Sequence, residues 1–172
     1  DYLGHQVSSQ GIEMVERYVD LLLKWPKPTT SKDLATFLGK CGYYRSFIKD
    51  YGKIAACLEA EKKKPKLVWT PQMTQSFETL KQAFSTKPIL GFPDYEGVQQ
   101  GRPFLYDTDW SQEGMAQQIS QVQPGPDGMR ERVIANRGRK CTQAERNYSS
   151  NKGEAASFVD GLEGFEHMLR YA

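Results

Sequence analysis

Soft metal ligands are scarce in this sequence. Its two histidines, His5 and His167, stand far apart, and neither has ligand-like spacing from a cysteine, which argues against a His/Cys metal site. The three cysteines, Cys41, Cys57 and Cys141, are odd in number and form no CxxC pair. That argues against a disulfide framework and for free thiols in a reducing compartment. Long apolar runs are missing too. Nothing approaches the roughly 20 residues that cross a bilayer, so no membrane partner is expected. No cationic start leads into an apolar stretch, so no secretory leader is read and an intracellular location, cytoplasm or nucleus, is expected. The net charge is only +2, which excludes whole-chain attraction to nucleic acid and confines any such contact to local patches. What remains is ordinary: 38% hydrophobic and 26% charged over 172 residues, a globular make-up with room for one or two cores. The chain opens on Asp1 rather than Met and stops at Ala172 within a helical pattern, so both ends read as cuts in a longer chain.

No internal repeat is visible. Residues 1–12 read as two short extended pieces around a turn, and Val15, Val19, Leu22 and Leu23 then take up helical spacing. Trp25-Pro26-Lys27-Pro28 ends that helix. Thr30 or Ser31 caps the next one, with Asp33 in its first turn. Its apolar stripe runs Leu34, Phe37, Leu38, Cys41, Tyr44, Ile48, and Lys32, Lys40, Arg45 and Lys49 lie largely off that stripe. A short helix holding Ile54, Ala55 and Leu58 follows, then a solvated linker at Lys62–Lys66. Leu67-Val68-Trp69 reads as a short strand. Thr70-Pro71 is a cap followed by Pro at the first helical position, and Phe77, Leu80 and Phe84 continue that helix. Residues 91–102 read as loop. The period then switches to two: strands at Phe104–Asp109, Met115–Val122 and Arg132–Ala135, the last two separated by the turn 124–128, are expected to pair antiparallel. A helix with Ala155, Phe158, Val159, Leu162, Phe165 and Leu169 closes the chain.

Two carboxylates, Asp107 and Asp109, share one face of the first of these strands, where like charges repel unless a cation lies between them. Glu154 falls in the first turn of the last helix. Oxygen donors from a strand and a facing helix suit a hard cation such as Mg²⁺, although turn chemistry and helix capping place acidic residues at the same positions.

A string of motifs carries a resemblance over essentially the whole chain. Tyr2-Leu3-Gly4-His5, Gly11-Ile12, Trp25-Pro26-Lys27-Pro28, Phe37-Leu38-Gly39 and Gly42–Ile48 resemble the end of the palm and the thumb of gypsy-like long-terminal-repeat retrotransposon reverse transcriptases. Ile54-Ala55, Leu58, Trp69-Thr70, Phe77, Leu80-Lys81 and Pro88-Ile89-Leu90 resemble the connector that follows. Phe104–Asp109, Ser120-Gln121, Glu131–Ala135 and Ala144–Glu154 resemble the ribonuclease H domain of the same Pol polyproteins. The implied fold is α+β, a helical reverse-transcriptase thumb followed by a truncated ribonuclease H-like domain of three antiparallel strands and then a helix. The implied boundaries are 1–64 for palm end and thumb, 65–100 for the connector and 101–172 for the ribonuclease H-like part.

By position, Asp109 is similar to that family's first catalytic aspartate and Glu154 to its catalytic glutamate, while Asp107 is not a ligand there. The resemblance implies hydrolysis of the RNA strand of an RNA–DNA hybrid by two Mg²⁺ (or Mn²⁺) ions roughly 3.5–4 Å apart, with the RNA told from DNA by its 2′-hydroxyls. It implies a turn at Gly4 and His5 that grips a primer end. It also implies a thumb helix whose Lys32, Lys40, Arg45 and Lys49 meet phosphates of a hybrid or primer-template duplex. The expected partners are that duplex and the rest of the Pol polyprotein.

The sequence departs from the family's pattern. The polymerase aspartates and the remaining ribonuclease aspartates are not among its residues, so the isolated chain is expected to be inactive, and its first ribonuclease strand is expected to have an open edge. Gln117 and Gln118 stand where the family has small and apolar residues, and a buried amide without partners costs about 1–3 kcal/mol. Asn136-Arg137-Gly138 replaces an aromatic followed by small residues. Gly161 and Gly164 lie inside the last helix, each at about 1 kcal/mol relative to Ala. Three readings follow: an enzyme fragment, a decayed or repurposed nucleic-acid-binding remnant, and an unrelated α+β interaction module. A cooperative, high-temperature unfolding transition would count against decay.

Overall fold

The computed structural model describes residues 3–172; Asp1 and Tyr2, the latter part of the first motif, lie outside the described residues. The chain starts with a hairpin of β1 (His5–Ser8) and β2 (Gly11–Met14), in register from His5↔Met14 to Ser8↔Gly11. Gly11, at φ +134°, has no room for a Cβ because the Leu90 carbonyl lies against it. Ile12 and Leu90 exchange backbone hydrogen bonds of 2.8 and 3.0 Å, which tie the hairpin to the segment ahead of the second sheet.

Four helices follow: α1 (Glu16–Leu23), α2 (Ser31–Tyr43), α3 (Tyr51–Glu61) and α4 (Pro71–Ser85). The caps are those the sequence predicts. Thr30 Oγ1 accepts from Asp33 N (3.1 Å) while Asp33 Oδ2 accepts from Thr30 N (3.2 Å), a reciprocal capping box. Thr70 Oγ1 accepts from Met73 N with Pro71 in the first turn. The apolar stripe of α2 is buried against Val19, Leu22, Leu58, Phe77, Leu80 and Phe84, and the Phe37 and Phe77 rings stand 4.7 Å apart.

The strand expected at Leu67–Trp69 is not formed. Among the described residues the segment has no partner strand and is held instead by its tryptophan: Trp69 Nε1 donates to Pro28 O at 2.7 Å, and the ring meets Phe77 edge-on at 5.7 Å. Within the expected loop 91–102, Asp94 caps a short α5 (Tyr95–Gln99) by accepting from Gly97 N at 2.8 Å.

The second sheet has the order β3 (Phe104–Trp110), β4 (Gly114–Gly125), β5 (Gly128–Lys140), all antiparallel. Among the described residues β3 pairs on one side only. The strands β4 and β5 are longer than the sequence suggests. Pairing runs on until Gly125 meets Gly128, leaving Pro126 and Asp127 as a two-residue turn rather than a loop. Helix α6 (Ser150–Leu169) covers one face, which presents Tyr106, Trp110, Gln117 and Arg139; the first turn of α3 sits on the other.

The β4 amides are not left unpaired. Gln117 Nε2 donates to Ser157 O (3.0 Å) and Oγ (3.1 Å), and only its Oε1 lacks a partner. Gln118 Nε2 donates to Asn136 Oδ1 (2.7 Å), and Asn136 Nδ2 donates to Ser46 O (3.0 Å). Gln121 Nε2 donates to the carbonyls of Asp94 and Arg102. Each amide thus finds an acceptor on a neighbouring helix, strand or loop, and the cost of an unpaired buried amide is largely avoided.

At the far end of β5, Arg139 donates two hydrogen bonds to Glu145 (2.8 and 2.9 Å) and one to Asp160 (2.6 Å). That guanidinium, with help from Thr142, pulls Glu145 from 4.5 down to about 2. A depressed folded-state pKa stabilises above the unfolded value, and the contribution is lost as pH falls from about 4.5 towards 2. Thermal melts followed by circular dichroism should therefore show a midpoint falling across that window, and Arg139→Gln should flatten the fall. An unchanged slope in the variant would refute the assignment.

Candidate nucleic-acid interface and carboxylate site

The turn expected to grip a primer end is built from strained backbone held by two tyrosines. Leu3 and Gly4 have φ +46° and +76°. The Tyr43 hydroxyl donates to Leu3 O, and the Tyr44 hydroxyl donates to Gly4 O at 2.6 Å. A Cβ at Gly4 would lie 3.2 Å from the Tyr43 oxygen, so glycine serves both the conformation and the approach. The His5 ring stacks on Tyr43 (centroids 5.3 Å apart) and Phe47 (5.7 Å), with Tyr44 edge-on at 5.6 Å. The hairpin is thus locked to the C-terminal end of α2.

Between hairpin, α1 and α2 runs an open groove of about 530 Å³, lined among others by Leu3, Gly4, Leu21, Gly39, Lys40 and Tyr43. Leu3, Leu21 and Tyr43 expose large apolar surface into it. Of the predicted contact residues, the structure brings Gly4 and Lys40 to this groove, with His5 beneath the turn. Lys32 stands at the start of α2. Arg45 lines a cleft with Arg137, Arg139 and His167, and Lys49 lines a small cavity with Asp50, Asp107 and Asp109. Lys32, Lys40, Arg45 and Lys49 are all exposed and make no ion pair among the described residues. Periodicity places Tyr44 on the apolar stripe of the helix and leaves Tyr43 without a role, and it gives neither hydroxyl its partner in the turn. Their adjacency to Gly42 at a helix end was the available signal.

Asp107 and Asp109 alternate with Tyr106, Thr108 and Trp110 and so project from the sheet face turned towards α3. There the Asp109 carboxylate is ion-paired with Lys53 of α3, and Lys53 Nζ also lies 4.0 Å from Asp50 Oδ1. Glu154 is half-buried on α6, the helix on the opposite face, and has no ion pair among the described residues. That helix starts at Ser150, so Glu154 is its fifth residue and lies past the first turn in which the sequence places it. The two elements are nonetheless joined beside the site: Ser157 Oγ donates to the backbone carbonyl of Asp109 at 3.1 Å, and Trp110 packs on Gly153. Among the described residues no three His, Cys, Asp or Glu side chains come together as a metal site. Two carboxylates, one of them already neutralised by an ammonium, do not supply the oxygen set that a pair of hard cations needs. The residues of this chain therefore do not by themselves fit two metal ions.

Residues 69–171 match the family model described as the RNase H-like domain found in reverse transcriptase. The chain belongs to this family. The match takes in α4, α5, the three-stranded sheet and α6. Similarity extends over the helices ahead of this RNase H-like domain. The chain is 29% identical to the retrovirus-related Pol polyprotein from transposon opus of Drosophila melanogaster over 98% of its length. It is 27% identical to the transposon Tf2-3 polyprotein of Schizosaccharomyces pombe, again over 98%. It is 40% identical over 95 residues to an uncharacterized mitochondrial protein of Arabidopsis thaliana. It spans 17%, 12% and 60% of those proteins respectively. The resemblance to retrotransposon Pol polyproteins and the α+β fold class are both borne out. Among solved structures, the foamy viral protease-reverse transcriptase in complex with RNA/DNA hybrid superposes at TM-score 0.75 over 95% of this chain and 21% of its own, at 18% identity. The same protein in complex with dsDNA superposes at 0.77 over 98% and 34%. At that identity the likeness establishes the fold.

Proposed function

We propose that this chain is the duplex-holding part of a retrotransposon reverse transcriptase and ribonuclease H polyprotein, working inside the cell. The observation that carries the reading is the groove beside α2, where a tyrosine-locked glycine turn and Lys40 border one open, aromatic-edged channel. Exposed aromatic surface flanked by cations suits bases and phosphates together. Reverse-transcriptase structures of the same fold hold RNA/DNA hybrid and dsDNA. Residues 1–64 act as palm end and thumb, 65–100 as connector and 101–172 as the ribonuclease H-like part. Two apolar clusters support setting the last part apart from the rest, one around Ile119 and Phe165 and one in which Phe37 of the thumb and Phe77 of the connector share a core.

Asp109 and Glu154 serve as two of the carboxylates of a ribonuclease H centre in the complete polyprotein, whose cofactor is Mg²⁺ or Mn²⁺. The isolated chain binds hybrid without cleaving it, because among the described residues no three acidic, His or Cys side chains come together to hold the ions. Fluorescence anisotropy of a labelled RNA–DNA hybrid between 50 and 200 mM salt tests the reading. Saturable, salt-weakened binding is expected, reduced several-fold by Tyr43→Ala, which frees the Leu3 carbonyl and removes a stacking face; base–aromatic stacking is worth about 1–3 kcal/mol. Absence of binding at the lowest salt, or binding indifferent to Tyr43, would refute it.

A further inference from the structure

Lys53 is placed with unusual closeness. It is the third residue of α3, and the first turn of that helix rests on the backbone of β4 and β5 through three glycines. A Cβ at Gly52 would lie 2.9 Å from Arg139 N. One at Gly114 would lie 3.2 Å from Lys53 Cγ, and one at Gly138 would lie 3.8 Å from Gly52 N. Contacts that tight leave no space for side chains between helix and sheet. The Lys53 side chain is only 16% exposed, yet its ammonium reaches the Asp109 carboxylate and lies between Asp109 and Asp50. Asp50, which precedes α3, adopts φ +60°, and its Oδ1 is buried with no hydrogen bond. Lys49 and Asp107 line the same cavity of about 70 Å³. One ammonium therefore serves two carboxylates at the place where the ribonuclease reading requires a metal ion.

We propose that Lys53 is the resident cation of Asp109, latching the helical half of the chain to β3 and keeping divalent metal off this carboxylate until the latch opens. The inference rests on the reading of Asp109 as a metal-binding carboxylate. No bond forms or breaks; the ammonium and the metal compete for one site.

The probe is Mn²⁺ alone, followed by loss of its free electron-paramagnetic-resonance signal, on the full chain and on Lys53→Met, Lys53→Arg, Asp109→Asn and the Lys53→Met/Asp109→Asn pair. Unfolding midpoints of the same proteins read the latch. Lys53→Met is expected to bind Mn²⁺ roughly tenfold or more tighter than wild type, the effect of about 1.4 kcal/mol of removed competition. That gain should vanish in the pair, and Lys53→Arg, which keeps the charge and the fold, should show none. The unfolding midpoints of Lys53→Met and Asp109→Asn should each fall, and the pair should lose less than the sum. Additive losses would overturn the latch. Equal Mn²⁺ affinity in wild type and Lys53→Met would overturn the blocking role while leaving Asp109 a metal ligand. Coupled losses with no Mn²⁺ bound by any variant would overturn both the blocking role and the metal reading of Asp109.

Discussion

Replacing Lys32, Lys40, Arg45 and Lys49 together by Gln is expected to remove most of the salt dependence of duplex binding. Each cation that neutralises a phosphate adds about 0.9 to the slope of log affinity against log salt on double-stranded DNA, so four contacts contribute a slope of roughly 3–4. Between 50 and 200 mM salt that amounts to a loss of about a hundredfold in wild-type affinity, which the quadruple variant should not show. All four side chains are exposed and free of ion pairs among the described residues, so their removal leaves no buried charge and the fold should survive. Lys40→Gln alone, at the groove itself, should flatten the slope by about 1. Anisotropy titrations of one dsDNA at several salt concentrations decide the matter. A quadruple variant with the wild-type slope would move the phosphate contacts to another surface.

Gly161→Ala is expected to destabilise the chain by about 1–3 kcal/mol, although alanine is the better helix former by about 1 kcal/mol. The added Cβ would collide with the Tyr106 hydroxyl and stand 2.5 Å from Gln117 Cγ. Neither neighbour can easily give way. The Tyr106 hydroxyl donates to Phe158 O at 2.7 Å, and burial, with Asp160 nearby, pushes its pKa up to about 12 so that it stays a donor. Gln117 is fixed by Ser157. Gly164→Ala is the control. There the nearest atoms to the Cβ belong to the Arg137 side chain, which is 41% exposed and can swing away, so the variant should match or slightly exceed wild type. Urea unfolding of the three proteins provides the comparison. Equal losses at 161 and 164 would mean that close packing on the sheet is not why glycine stands at 161.

These glycines show where the sequence was legible and where it was not. Caps are local chemistry, so Thr30, Asp33 and Thr70-Pro71 announced α2 and α4 correctly. Periodicity located β3, β4, β5 and α6 for the same reason. Trp69 misled because an extended, β-prone triplet becomes a strand only if a partner edge exists, and the chain offers it the Pro28 carbonyl instead. Gln117, Gln118, Gly161 and Gly164 read one at a time as defects in a core. Paired across the fold they are complementary: small residues on α6 admit Tyr106 and Arg137, and the amides meet Ser157 and Asn136. Position against the resembled family singled out Asp109 and Glu154, but nothing local reveals that Lys53, 56 residues away, reaches Asp109. Asp94, a capping residue ahead of Tyr95, was a readable sign of α5 inside what looked like loop.

The most direct measurement is cleavage of a labelled RNA–DNA hybrid by the purified chain in Mg²⁺ and in Mn²⁺, beside Asp109→Asn, with binding read in the same samples. The predicted result is no cleavage by either protein and salt-dependent binding by both. Cleavage by the wild-type chain that Asp109→Asn abolishes would contradict it, because Asp109 and Glu154 would then suffice for the chemistry despite standing on opposite sides of the sheet.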